Sequence, residues 1–122
     1  MPRVIHFELP VDDPARAIDF YRSVFGWQIN KWDGPQDYWL VTTGGESEPG
    51  IHGALTHRSE GFMSTVNTLG VESVDASVAK IEAHGGKILL PKMAVPGMGW
   101  IAYAQDTEGN NFGIMQPDPS AV

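Results

Sequence analysis

Two titratable side chains stand two residues apart near the start of the chain, His6 and Glu8. Their segment, Pro2 to Leu9, alternates: Val4, His6 and Glu8 point one way, Ile5, Phe7 and Leu9 the other. A period of two is the mark of a half-buried strand with its apolar face toward a core. The polar face then presents an imidazole that titrates near neutral pH beside a carboxylate. His6 can give or take a proton, and Glu8 can orient the ring or act as base. These two are the candidate catalytic residues. The plainer alternative is a hydrogen-bonded sheet histidine and an exposed strand carboxylate.

Other residue types suggest binding. Trp39 and Trp100 could stack on a planar ligand, although burial is the commoner use of an aromatic ring. Trp100 and Tyr103 have opposite strand parity, so an unbulged strand cannot turn both into one cavity. Gly53 and Gly113 mark a close backbone approach or room for a ligand. Nothing resembles a Ser–His–Asp set, and Gly44-Gly45 opens no helix, so it is no nucleotide fingerprint. The absence of cysteine removes disulfides, thiolate nucleophiles, zinc ribbons and iron–sulfur ligation. His57 and His84 read as surface residues.

The elements that must position these groups are legible from punctuation. Asp13 followed by Pro14 starts a helix over about 14–25, with Ala17, Phe20, Tyr21 and Val24 as its apolar stripe and Gly26 as its stop. Strands follow at Trp27–Lys31, Tyr38–Thr42 and Ile51–His57. The order then recurs: strand Ser64–Val71, a helix capped by Ser73 and ended by Gly85-Gly86, and strands Lys87–Leu90, Trp100–Gln105 and Asn111–Gln116. Met93–Trp100 reads as a strand connection or a lid, and Pro117–Val122 as a loose tail. Ala17 and Ala76, Gly26 and Gly85, and Ile29 and Ile88 are each 59 apart; Gly53 and Gly113 are 60 apart, Trp39 and Trp100 61. That register predicts an internal duplication, 1–59 and 60–117, within a single domain over 1–122.

Composition sets the outer limits. One domain is what 122 residues allow, and 42% hydrophobic with 19% charged residues is globular usage. A net charge of −7 without a basic stripe disfavours nucleic acid and modestly suits cationic ligands. No apolar run is long enough for a membrane span and no secretory leader opens the chain, so a cytoplasmic protein is expected.

The chain resembles the vicinal oxygen chelate superfamily, which includes glyoxalase I, bleomycin-resistance proteins and extradiol dioxygenases. His6, the run Asp13-Pro14-Ala15-Arg16-Ala17-Ile18-Asp19-Phe20-Tyr21, Phe25-Gly26-Trp27, Gly85-Gly86-Lys87 and Asp106-Thr107-Glu108-Gly109-Asn110-Asn111-Phe112 carry the resemblance. It implies an α+β fold of two tandem βαβββ modules whose curved sheets form a cavity, often in a homodimer. The cavity would bind a small organic ligand and be lined by His6, Glu8, Gly53, Leu55, Gly113 and Met115, with Trp39 and Trp100 as stacking candidates. It implies either a lyase-, isomerase- or dioxygenase-like enzyme or a protein that sequesters its ligand without chemistry. Metalloenzymes of the superfamily take metal ligands from their first, fourth, fifth and last strands. Those positions fall here on His6, Gly53, Thr65 or Val66, and Gly113, so His6 is the only retained ligand. If Gly53 faces the cavity, alternation turns His52 away. One imidazole does not hold a divalent ion against water, so the expectation is no cofactor, only weak support for a metal, and no glyoxalase I activity.

Overall fold

The computed structural model describes residues 2–122. Its element order is β1 (Arg3–Val11), α1 (Pro14–Phe25), β2 (Gln28–Lys31), β3 (Tyr38–Thr42) and β4 (His52–His57), then β5 (Val66–Gly70), α2 (Val74–Ala83), β6 (Lys87–Val95), β7 (Gly99–Gln105) and β8 (Asn111–Pro117). This is an α+β chain in which strand–helix–three strands occurs twice. The chain divides into two compact units: residues 6–66, and residues 67–122 with the first residues up to Ile5. Among the described residues no helix is long and apolar enough to cross a membrane.

In the first unit the strands run in the order β2-β3-β4-β1. β1 and β4 are parallel, with Phe7 opposite Gly53 and Leu9 opposite Leu55; β3 and β4 are antiparallel, with Trp39 opposite Leu55 and Val41 opposite Gly53. α1 begins because the Asp13 carboxylate accepts the Arg16 amide at 3.1 Å and Pro14 presets the first turn. It stops because Gly26 turns left-handed at φ 71° and returns its N–H to the Arg22 carbonyl. The helix covers a core of Ile29, Val41 and Leu55, flanked by Phe7, Leu9, Val11, Ala17, Ile18, Tyr21, Trp27 and Trp39. The core-facing stripe is therefore Ala17, Ile18 and Tyr21, all partly buried. Phe20 and Val24, assigned to it from periodicity, are 53% and 55% exposed.

In the second unit the order is β5-β8-β7-β6. Ser73 caps α2 by accepting the Ala76 amide, and Val74, Val78 and Ile81 pack on Leu69, Val71, Ala102, Ile114, Phe112 and Trp100. Two sequence expectations need correction here, on β6 and on the tail. β6 does not end before Pro91 but runs through it to Val95. It is the outer strand of this set, and its pairing with β7 shifts at Leu90, which accommodates a residue without an N–H. The 93–100 segment is a strand connection, the plainer of its two readings, since only residues 96–98 lie outside the two strands of a hairpin. The tail is tied down: the Trp100 indole donates to the Asp118 carboxylate at 2.9 Å, Gly97 donates to the Ala121 carbonyl, and Ala121 is buried.

Gly53 is where the backbones of β1 and β4 approach most closely on a side chain's space. A Cβ there would sit 2.5 Å from both the Phe7 carbonyl oxygen and its ring. Gly53→Ala should destabilise the protein by about 1–3 kcal/mol, as forced overpacking does. Gly45→Ala, whose Cβ would meet only Glu48 at 3.6 Å, should stay within about 0.5 kcal/mol. Urea unfolding of both variants checks this, and equal effects would refute the tight contact.

Candidate functional site

Strand pairing decides which side chains share a face, because partners in register point the same way and neighbours along a strand point oppositely. Phe7, Leu9, Gly53, Leu55, Trp39, Val41 and Ile29 occupy the α1 face of the first unit. The opposite face carries His6 and Glu8 from β1, His52, Ala54 and Thr56 from β4, and Tyr38 and Leu40 from β3.

His6 and Tyr38 meet on that face across two strand intervals. The His6 Nε2 and the Tyr38 hydroxyl are 2.7 Å apart, and the ring planes are 13° from parallel with centroids 6.4 Å apart, an end-to-end arrangement. Burial pushes the His6 pKa below its ordinary value, because desolvation penalises the imidazolium. Glu8, in the same row, is a buried carboxylate at 7% exposure and is not without a partner. The face thus offers a half-buried neutral imidazole, a phenol and a carboxylate, which is a set able to bind oxygen functions and to move a proton. Tyr38 was not singled out from sequence. Its signal was available, since Tyr38 has the opposite parity to Trp39.

Four sequence-predicted residues lie elsewhere. Leu55 is fully buried in the α1 core, Trp39 packs against the same core, and Gly53 faces Phe7 on that side. Trp100 packs in the α2 cluster, with Lys92 4.8 Å from its ring centroid and Asp118 on its indole N–H. None of the first three shares a face with His6 or Glu8, and Trp100 lies on the α2 face of the second unit. In the second unit Gly113 and Met115 do lie on the face away from α2. Gly113 is paired with Thr68 and Tyr103, and Met115 with Gly70 and Ile101.

The misplacement has one origin. The two N-caps, Asp13 and Ser73, are 60 apart, whereas the glycines that follow the helices, Gly26 and Gly85, are 59 apart. Between cap and glycine there are 26 − 13 = 13 steps in the first unit and 85 − 73 = 12 in the second. Between β4 and β8 the offset is 59: Phe7 pairs with Gly53 and Glu8 with Ala54, while Asn67 and Thr68, 60 residues further on, pair with Phe112 and Gly113, so Gly113 corresponds to Ala54 and Gly53 to Phe112. Pairing Gly53 with Gly113 slips the register by one, and a one-residue slip exchanges faces. His52 consequently shares the His6 face, contrary to the expectation; its Nδ1 accepts the Thr43 amide at 3.1 Å.

The corrected register also tests the donor set a divalent metal would need. The first-strand position keeps His6. The fourth becomes Ala54, the fifth becomes Val66 at an offset of 60, and the last stays Gly113. A methyl, an isopropyl group and a hydrogen offer no lone pair. Among the described residues no group of three or more His, Asp or Glu is placed to hold an ion. These residues do not fit a glyoxalase-type metal centre.

A crevice of about 600 Å³ lies on the first unit between α1 and residues 58–65, lined by Val11, Arg16, Phe20 and Met63 among others. Neither His6 nor Tyr38 lines it.

Comparison with known proteins agrees with this architecture. Residues 3–44 match the family model described as bleomycin resistance protein-like N-terminal. Proteins named provisionally as the glyoxylase CFP32, from Mycobacterium bovis and Mycobacterium tuberculosis, are 29% identical over 113 residues, covering 89% of this chain and 43% of theirs. The chain thus spans less than half the length of the curated relatives it matches. A methylmalonyl-CoA epimerase solved with methylmalonyl-CoA and NH4+ superposes with a TM-score of 0.72 at 16% identity, over 99% of this chain and 98% of the other. The methylmalonyl-CoA epimerase of Mycobacterium tuberculosis gives 0.68 at 14%, over 95% and 88%. The family model and the curated relatives indicate the vicinal oxygen chelate superfamily of glyoxalase and bleomycin-resistance proteins, and the solved structures show the shared fold.

The lowered His6 pKa has a thermodynamic consequence. As pH falls through the ordinary histidine value of about 6.5, the unfolded imidazole takes up a proton that the folded one resists. The unfolded state then binds more protons, so the contribution of His6 to stability is constant above that pH and declines below it. Denaturant midpoints between pH 7.5 and 5.5 should fall more steeply for the native chain than for His6→Gln. Parallel curves would overturn the assignment.

Proposed function

We propose that the protein binds a small oxygenated organic molecule on the strand face carrying His6, Glu8 and Tyr38, and shifts a proton on it without a glyoxalase-type metal. The observation that carries this reading is the His6–Tyr38 pair, a neutral, half-buried imidazole in the same row as the Glu8 carboxylate. Proton abstraction beside a carbonyl needs a base and a group that polarises the oxygen. Glu8 and His6 supply one each. The epimerase neighbours support the class, since one was solved with methylmalonyl-CoA and another with 2-nitronate-propionyl-CoA. The reaction class is isomerisation or lysis through proton transfer, in a cytoplasmic protein of one domain made of two βαβββ repeats. In the second unit Gly113 and Met115 are the ligand-facing candidates.

A second reading, ligand sequestration without turnover, draws on the match of residues 3–44 to a bleomycin-resistance-like model. One experiment separates the two: thermal shift and solvent-deuterium incorporation with a panel of small acids and acyl thioesters, methylmalonyl-CoA included. Proton-transfer chemistry predicts a raised Tm and deuterium at the carbon beside the carbonyl, with Glu8→Gln slowing exchange about 10²–10⁴-fold. A raised Tm without exchange favours sequestration. No shift and no exchange across the panel would overturn both.

The partner we propose besides the ligand is a second copy of the chain. Phe20, Val24 and Phe25 of α1 are exposed, more apolar surface than one helix normally leaves to water, and a two-fold pairing is the commonest way to cover such surface. Sedimentation equilibrium at tens of micromolar should give twice the 13.3 kDa chain mass; a monomer there would refute it.

A further inference from the structure

We infer that the Thr68 hydroxyl is a ligand contact of the second unit, placed to donate a hydrogen bond to a neutral oxygen such as the carbonyl of a ketone, ester or thioester. Its ligand rests on the function proposed above, whereas the state of the hydroxyl stands on side-chain geometry alone.

Two polar side chains are buried among the described residues, Glu8 at 7% exposure and Thr68 at 2%. They are 60 apart, the offset of the N-caps Asp13 and Ser73, so each holds the same place on the first strand of its repeat. Each faces away from its helix. Each also pairs with a residue that has little or no side chain, Glu8 with Ala54 and Thr68 with Gly113. They differ in their bonding. Glu8 is not without a partner, whereas Thr68 Oγ1 has no hydrogen-bond partner among the described residues. A hydroxyl taken out of water unpaired is disfavoured, and a valine of nearly the same shape would fill the position without that penalty. A polar group kept at one equivalent place in both repeats, against stability in the second, is the mark of a functional position.

Gly113 provides the approach. A Cβ at position 113 would stand 2.9 Å from Thr68 Oγ1 and 3.3 Å from the Tyr103 ring. With only a hydrogen there, the hydroxyl, the glycine Cα and the ring edge converge on the face away from α2. Tyr103 is the movable member, because paired backbone holds the other two. Its ring must turn aside for a ligand atom to reach Oγ1. The neighbours on that face, Ile101, Tyr103 and Met115, carry no charge. A carboxylate would need a cation to offset its desolvation, so the position suits a neutral oxygen. A carbonyl has no proton to give, which makes Thr68 the donor.

The test compares the native full chain with Thr68→Val and Thr68→Ser by urea unfolding and by titration with the acyl thioester panel, methylmalonyl-CoA first. Thr68→Val should raise the urea midpoint and weaken binding about fivefold, the effect of one neutral hydrogen bond. Thr68→Ser keeps the hydroxyl and loses a buried methyl group, so it should lower the midpoint and bind as the native chain does. A purely structural role would move stability and binding in the same direction. An unchanged or lowered midpoint in Thr68→Val shows that the hydroxyl is already satisfied, and overturns the inference whatever the panel gives. A raised midpoint with native affinity refutes the ligand contact alone and leaves the function proposed for the His6 face standing. A native chain that binds no member of the panel refutes both.

Discussion

The contact of β4 with β1 at Gly53 fixes everything on the polar face. Phe7 occupies the space a side chain at position 53 would need, and its carbonyl approaches the same point. That approach selects the parallel register in which Phe7 lies opposite Gly53 and Leu9 opposite Leu55. The apolar members of both strands then turn together under α1, and His6, Glu8 and Ala54 turn together away from it. Because strand side chains alternate with a period of two, no intermediate arrangement exists. A side chain at position 53 therefore disturbs a whole face and not one residue.

The local rules of the chain were readable where chemistry is local. A carboxylate before a proline capped α1, a serine capped α2, and a left-handed glycine ended α1, each within a residue of expectation. Alternation placed Phe7 and His6 on opposite faces of β1 correctly, because one strand keeps its own parity. What failed was parity carried between repeats. The glycines at 53 and 113 are one residue out of step, and trusting them reversed the facing of β4 and with it Gly53, Leu55 and His52. Nothing local marks the residue lost between Ser73 and Gly85. It becomes visible only when the two caps are counted separately. Pro91 failed differently: an isolated proline ends a strand on propensity, yet an outer strand with a bulge has no ladder bond there to lose.

Tyr38 shows a further limit of reading along the chain. From sequence it is one aromatic beside another, and Trp39 has the larger apolar surface, so Trp39 draws attention. The pair divides by parity into one residue for the core and one for the polar face. Packing claims Trp39, and the hydrogen bond to an imidazole 32 residues away claims Tyr38. Long-range pairing of this kind has no sequence period, so it becomes legible only once strand order and register are known.

The polar face is also where the fold accepts a cost. A histidine kept from protonation and a carboxylate at 7% exposure are both disfavoured by desolvation. A hydrophobic residue at either position would bury more easily in a sheet that already has its apolar core on the other side. Local conflict of this sort concentrates at functional positions, because chemistry needs groups that water would otherwise solvate. The corrected ligand positions, by contrast, hold Ala54, Val66 and Gly113, which bury without penalty. The chain therefore carries its burden of desolvation at His6 and Glu8 and at none of the other three positions where the superfamily's metalloenzymes place ligands. That distribution is what the proton transfer we propose for this face would require: two ionisable groups taken out of water on one strand, His6 with a phenol within hydrogen-bond reach.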